Sequence, residues 1–378
     1  MTLAAADVAR QPAKAPALRV ALDLSPAIVS AGGVRAYALA TWRHLRERQD
    51  VELAAFGAGR GAAPEAAMRR LPVPLRVLHF SWRTLGVPRA EAITGDVDVV
   101  HSIDLQPPPT RRPLVMTIHD VMAITHPDLF PPHARRYQQD QLRAARQAAA
   151  VVTSCTATAA QVVEVGELDP RRVLVTPFGP GLESAAGADQ PPGPEAGSAA
   201  PYILAVGVIE PRKAYDLLAI AMSRVRDAPT VLVAGPDGWR GASIRERVTE
   251  LDSGGRIRFL GGVADETLAR LYRGAALVCQ PSLAEGFGFP VLEAMTFGVP
   301  VVASDTPSAR EIGSGALRLV TPGDADALAG GLAEVLTDLD RRRRMVEAGL
   351  AAARAWTWAR CTDRLVDVYR LAAGLSSA

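Results

Sequence analysis

Short β-branched runs alternate with longer helix-patterned segments along most of the chain, and a stretch with neither pattern splits them into two sets. The first set is LRVALDLS, VDVVHSI, PLVMTIHD, AVVTSC and RVLVTPF; the second is PYILAVGV, TVLVAGP, RIRFLGG, ALVCQPS and PVVASD. Strands that alternate with helices pair in parallel and are covered by those helices on both faces. Gly179 to Pro201 is rich in Gly, Pro, Ala and Ser and lacks apolar periodicity, which is the composition of a linker. The expected fold is α/β: two Rossmann-like, doubly wound parallel-sheet domains over residues 18–180 and 201–355, joined by 181–200 and preceded by a flexible tail over 1–17. With 378 residues, each half is long enough to bury its own core. Domains of this kind bind ligands at the carboxyl ends of their strands, so a pair of them faces a shared cleft.

Charge excludes some partners. The net charge is only +2, no basis for nucleic-acid binding. It is unevenly spread, with 21 Lys and Arg against 16 Asp and Glu up to Gly179, and 21 against 24 from Pro180 onward. A basic first half suits an anionic acceptor or membrane surface, and equally suits no partner at all. Cys155, Cys279 and Cys361 are odd in number and widely spaced, with no disulfide framework or zinc pattern, which fits a reducing cytoplasm. Residues 1–17 lack the continuous apolar core of a signal peptide. No apolar run approaches the roughly 18 to 20 residues that span a bilayer. Any membrane contact, at the inner face, is therefore expected to be peripheral.

The densest chemistry lies in PSLAEGFGFPVLEAMTFGVPVVASD, residues 281–305. Glu285 and Glu293 flank the loop Gly286-Phe287-Gly288, and Pro290 opens a helix, where its missing N–H costs nothing. Such a loop presents backbone amides and the positive end of a helix dipole to an anion. Glu293 is expected in the first turn, placed to accept hydrogen bonds from a pair of ribose hydroxyls, and Glu285 is expected to face the cleft. Arg212 and Lys213 follow the strand PYILAVGV and can bind a diphosphate, Arg bidentately and Lys as a compact charge. His119 ends the strand PLVMTIHD and is expected to point into the cleft, while Asp120 caps the following loop. Gly32 and Gly33 precede a helix starting near Val34 and allow close backbone approach to a phosphate or sugar.

The segment 281–305 resembles the donor-site signature of the retaining glycosyltransferases of family 4, nucleotide-sugar enzymes of the GT-B fold. The resemblance extends to the glycine loop at Gly32, Gly33 and Val34, to TIHD at Thr117 to Asp120 and to Pro211-Arg212-Lys213, and so spans roughly residues 18 to 373. It implies catalytic positions at His119, Arg212, Lys213 and Glu285. It also implies donor-binding positions at Gly32, Gly33, Gly207, Gly286, Phe287, Gly288 and Glu293, and a C-terminal helix over 356–378 that crosses back to the first domain. One departure is Ala214, where the family commonly has Asn after the Lys. The implied reaction takes a hexose from a nucleotide sugar to a hydroxyl of a glycan or lipid-linked acceptor. TIHD and HPDLFPP tilt the donor toward GDP-mannose, against UDP-glucose or a dTDP-deoxysugar. A non-catalytic nucleotide-binding subunit of the same fold, a sugar phosphorylase and a nucleotide-sugar epimerase are the rival readings.

No metal or other cofactor is expected. Asp96 and Asp98 form the DxD that holds a divalent ion in glycosyltransferases of the other major fold, but here they open VDVVHSI at its amino end and read as a strand entry. Asp324 and Asp326 read as helix N-terminal acids. Arg135, Arg136, Arg143 and Arg146 recur at helical spacing and either meet an acceptor phosphate or form a solvated face; the solvated face is the preferred reading.

Overall fold

The protein is described from a computed structural model, which covers residues 17–30, 32–60, 68–182 and 201–375. The first sheet is built from β1 (Leu18–Asp23), β2 (Val51–Ala58), β3 (Arg69–Leu71), β4 (Val99–Ile103), β5 (Leu114–Thr117), β6 (Ala150–Thr153) and β7 (Val173–Val175). The second is built from β8 (Tyr202–Val206), β9 (Thr230–Ala234), β10 (Ile257–Gly261), β11 (Ala275–Gln280), β12 (Val301–Ser304) and β13 (Arg318–Val320). All pairings are parallel, in the orders β3-β2-β1-β4-β5-β6-β7 and β10-β9-β8-β11-β12-β13. The two-domain α/β architecture read from the sequence is therefore present.

The central strands β1, β4, β8 and β11 are buried along nearly their whole length, because helices cover both faces, and their sequences are accordingly continuous apolar runs. Strand order reverses direction at the β1/β4 boundary in one sheet and at β8/β11 in the other. Loops leaving adjacent strands there go to opposite faces and open a crevice. The two crevices face each other.

The C-terminal helix, Trp358–Ala372, packs on the Gly32–Arg46 helix of the first domain. Thr357 caps its start by accepting from the Arg360 N–H, and its apolar side enters the core through Leu365, Val366 and Tyr369. Trp358 Nε1 donates to the Pro180 carbonyl at 2.8 Å, and Arg370 pairs with Asp50 at 2.9 Å. An aromatic column ties the domains together: Tyr37 lies 4.2 Å from Phe178, which lies 5.3 Å from Phe287 and is stacked on Trp358. The second domain also reaches across to the Thr156–Gly166 helix. Glu311 accepts from the amides of Thr156 and Ala157 at 2.8 and 3.0 Å, and Thr158 Oγ1 donates to the Gly286 carbonyl.

Several details differ from the sequence reading. A short helix, Ser25–Val29, intervenes between β1 and the glycine loop, and the following helix begins at Gly32 rather than near Val34. Most of the expected linker, 183–200, lies outside the described residues, as do 1–16 of the expected tail. All three cysteines are buried free thiols. No described helix is long and apolar enough to cross a membrane.

Candidate active site

A cleft of about 690 Å³ lies between the two sheets. The first domain lines it with Gly32, Gly33, His119 and Asp120, the second with Gly207, Arg212, Lys213, Glu285 to Phe289 and Glu293. Every position implied as catalytic or donor-binding thus meets at one site. The volume is in the range of small-ligand sites and holds a molecule of nucleotide-sugar size.

Its floor is a charge cluster. Arg212 and Lys213 sit in a 3-10 turn, Pro211–Lys213, after β8. Lys213 Nζ donates to Glu285 Oε1 at 2.6 Å and Arg212 Nη1 to Glu285 Oε2 at 2.8 Å. Gln280 Nε2 also donates to Glu285 Oε1, at 2.6 Å, and Arg212 Nε meets Glu210 at 2.5 Å. Lys213 is only 5% exposed, so its charge acts in a medium of low polarizability. Burial alone would raise the Glu285 carboxyl, but Lys213 and Arg212 outweigh it and hold the group well below the usual carboxylate range. Burial draws the Lys213 ammonium below its ordinary value, against the pull of Glu285. Glu285 is thus an ionised carboxylate whose oxygens already accept from three donors.

Glycines make this geometry possible. Gly207 ends β8 at φ 150°, and a Cβ there would lie 2.8 Å from Lys213 Cε. Gly286 presses against the end of β5, where a Cβ would sit 2.6 Å from the His119 carbonyl oxygen. Gly288, at φ 106°, caps the Phe289–Thr296 helix: the Val291 and Leu292 amides donate to its carbonyl, Pro290 has none to donate, and the Phe289 amide, at the cleft wall, is the one first-turn donor without an acceptor in its own helix. Gly33 packs directly under the Phe289 ring.

Ala214 adopts a left-handed conformation, φ 50° and ψ 45°, immediately after the two cations. Asn occupies that region more readily than other residues with a Cβ, which explains physically the residue the family prefers here. Because Ala214 is only 4% exposed, glycine relieves this conformation without adding volume, and Ala214→Gly is expected to stabilise the fold by about 1 kcal/mol. Urea unfolding measures this, and an unchanged midpoint would contradict it.

His119 packs edge-on against Tyr37 at 5.0 Å and against Phe178 at 5.6 Å. Burial pushes its imidazole down to about 3, so it is neutral at physiological pH, and Nε2 has no protein partner. Asp120 caps its loop, accepting from the Met122 amide at 2.9 Å.

Glu293 corrects one expectation. It lies in the second turn of its helix, and its carboxylate is buried rather than open. Oε2 accepts from Tyr272 Oη at 2.7 Å, and the amides of Gly181 and Leu182, where the chain leaves the first domain, also hydrogen-bond to it. Burial raises the carboxyl to about 7, with Asp265 adding to the rise and the Tyr272 and amide hydrogen bonds opposing it. Between its ordinary value of 4.5 and 7 the folded chain keeps a proton that the unfolded chain releases, so this group's contribution to stability falls as pH rises through that window. Glu293→Gln removes the effect. Relative to the parent, the variant should gain about 1 to 3 kcal/mol between pH 4.5 and pH 8 by denaturant unfolding. An equal difference at both pH values would refute the linkage.

The other residues singled out in the sequence lie away from the cleft. Asp96 and Asp98 sit at the amino end of β4, Asp98 accepting from the Arg19 amide at 2.8 Å and Asp96 paired with Arg112. Asp324 caps the Ala325–Thr337 helix. Arg135, Arg136, Arg143 and Arg146 are exposed and do not line the cleft. Among the described residues no three His, Cys, Asp or Glu side chains group as a metal site. Sequence reasoning missed Tyr272, Gln280 and Glu210, and also Gly235, Gly262 and Asp265 at the far end of the cleft. Of these only Glu210, beside Arg212, and the glycines after β9 and β10 carried a local signal.

Two parallel-sheet domains closing on a cleft floored by a buried cation pair are the architecture of a GT-B glycosyltransferase. Known proteins agree. Residues 31–180 match the family described as Glycosyltransferase Family 4, and residues 190–351 match Glycosyl transferases group 1. The chain is 31% identical over 344 residues to a D-inositol 3-phosphate glycosyltransferase of Geodermatophilus obscurus, with 82% of this chain and 74% of that one covered. It is 29% identical over 292 residues to the O-antigen chain mannosyltransferase B of Escherichia coli, covering 72% and 74%. Sucrose-phosphate synthase from Thermosynechococcus elongatus superposes with a TM-score of 0.73 at 21% identity, over 93% of this chain and 98% of that one. The chain belongs to glycosyltransferase family 4, group 1.

Proposed function

We propose that the protein transfers mannose from GDP-mannose, with retention of anomeric configuration, to a hydroxyl of a glycan or lipid-linked acceptor. The observation that carries this reading is the buried Arg212, Lys213 and Glu285 cluster beside the amino end of the Phe289–Thr296 helix. As the donor C1–O bond breaks, negative charge collects on the departing diphosphate. Arg212, Lys213 and the Phe289 amide at the start of that helix stabilise that charge without reorganising. The leaving phosphate accepts the acceptor's proton, so no strong base is required. Glu285 keeps both cations charged and aimed. It does not serve as a nucleophile, because its oxygens already accept from Lys213, Arg212 and Gln280. Neutral His119 orients the sugar through its unpartnered nitrogen. Glu293 receives the ribose hydroxyls by exchanging its bonds to the Gly181 and Leu182 amides for them, while Tyr272 stays on its carboxylate. On this reading the protein's own cations neutralise the diphosphate, and the reaction proceeds in excess chelator.

The mannosyltransferase relative supports the choice of sugar, and the inositol-phosphate relative supports a polyhydroxylated acceptor. The test is incubation with GDP-mannose, UDP-glucose or dTDP-rhamnose in chelator, following release of diphosphate and the anomeric proton of the product. GDP release with an α-configured product supports the reading. Turnover with another donor only, inverted product, or an absolute requirement for divalent metal overturns the corresponding part.

A further inference from the structure

We propose that the surface formed by the Leu75–Thr84 helix and its flanks docks on an anionic lipid bilayer. Residues 68–90 contain five arginines and no acidic residue. Arg69 and Arg70 donate to backbone carbonyls, Arg83 reaches Asp140 only at 3.5 Å, and among the described residues Arg76 and Arg89 have no acidic partner. The same segment is unusually apolar on its outer side. Val73, Val77, Phe80, Leu85 and Val87 are exposed, Phe80 by 58% and Leu85 by 68%, and they make up five of the ten exposed large hydrophobic residues described. Leu78 and Trp82 on the opposite side of the helix are buried in the domain core.

Helical spacing puts Arg83, Arg76, Phe80 and Val77 in one outward stripe, cations on one margin and apolar side chains on the other. A stripe of that composition is what an acidic bilayer takes: apolar side chains enter the acyl boundary while arginines stay at the headgroups. A second copy of the chain fits less well, since a two-fold contact sets arginine against arginine.

The surface is continuous with the lip of the cleft. Arg70 Nη2 donates to the Gly59 carbonyl at 3.1 Å, and Gly59 packs against Val29, which is itself 43% exposed and lies three residues before Gly32. On the other side, Asp140 belongs to the Pro132–Ala145 helix, which carries exposed Arg135 and Arg136. The inner side of that helix holds the loops after β4 and β5, Tyr137 Oη donating to the Asp104 carbonyl and Gln138 Nε2 to Asp120. Docking here brings the acceptor side of the cleft to the membrane, which gives the solvated arginines of the first domain a common role.

Co-sedimentation of the whole protein with phosphatidylcholine vesicles, with and without phosphatidylglycerol, tests this without depending on any activity. The expected result is sedimentation only with phosphatidylglycerol, reversed by high salt. Arg76→Ser and Phe80→Ser should each weaken partitioning about fivefold. Both should leave the melting temperature unchanged. Equal sedimentation with neutral and acidic vesicles, no sedimentation, or a parent-like result for both variants overturns the proposal. So does a dimer in solution that Phe80→Ser dissociates, which would give this face to a second copy.

Discussion

Lys213→Ala is expected to lower turnover a hundredfold or more while the protein stays folded. The ammonium is almost wholly shielded from water and lines the cleft in which the proposed reaction develops charge on the diphosphate. Removing one preorganised donor from such a site costs roughly 3 to 4 kcal/mol of transition-state stabilisation. The fold tolerates the loss because Glu285 keeps Arg212 and Gln280 as partners. Lys213→Arg should not restore activity, because the space over Gly207 fits a narrow alkyl stem and a compact charge. Steady-state kinetics on both variants measures this. Turnover within a few-fold of the parent in Lys213→Ala would remove the diphosphate role.

Glu285→Ala should act on stability as well as rate. It leaves two buried cations without their shared counter-charge, and breaking a buried pair on one side costs about 3 to 5 kcal/mol. Glu285→Gln keeps the shape but not the charge, and should fall between the parent and Ala in denaturant unfolding. Both variants should lose activity at least as severely as Lys213→Ala, since Arg212 and Lys213 no longer hold their aim. A stable, inactive Glu285→Ala would instead point to direct contact with the sugar and away from the positioning role.

The extent to which this was legible in the sequence follows from the range of the interactions. The central strands were evident because burial on both faces writes continuous apolar runs such as VVHSI and YILAV. In β2, VELAAFGA is diluted with Ala and Gly, and β3 is only three residues long. Neither has a strong local signature, and pairing with β1 is what makes them strands. EGFGFPVLE carries the expectation of an anion site in the sequence because its glycines and Pro290 act locally. Its pairing with Arg212 and Lys213 spans 72 to 73 residues of sequence and depends on β8 and β11 lying side by side. The burial of Glu293 depends on Tyr272 and on the chain leaving the first domain, neither of which leaves a mark near residue 293. The helix starts at Phe289, one residue before Pro290, and this moves Glu293 into its second turn.

The most direct test of a nucleotide-sugar site in this cleft is thermal unfolding of the metal-free protein with GDP, UDP, ADP and dTDP, each also tested as its sugar conjugate. Ligand at a hundred times its dissociation constant adds about 2.7 kcal/mol, a shift readily seen for a chain of this size. Stabilisation by GDP and GDP-mannose, reduced in Lys213→Ala and Glu293→Ala, is the predicted result. A well-folded protein that none of the eight ligands stabilises would contradict the account.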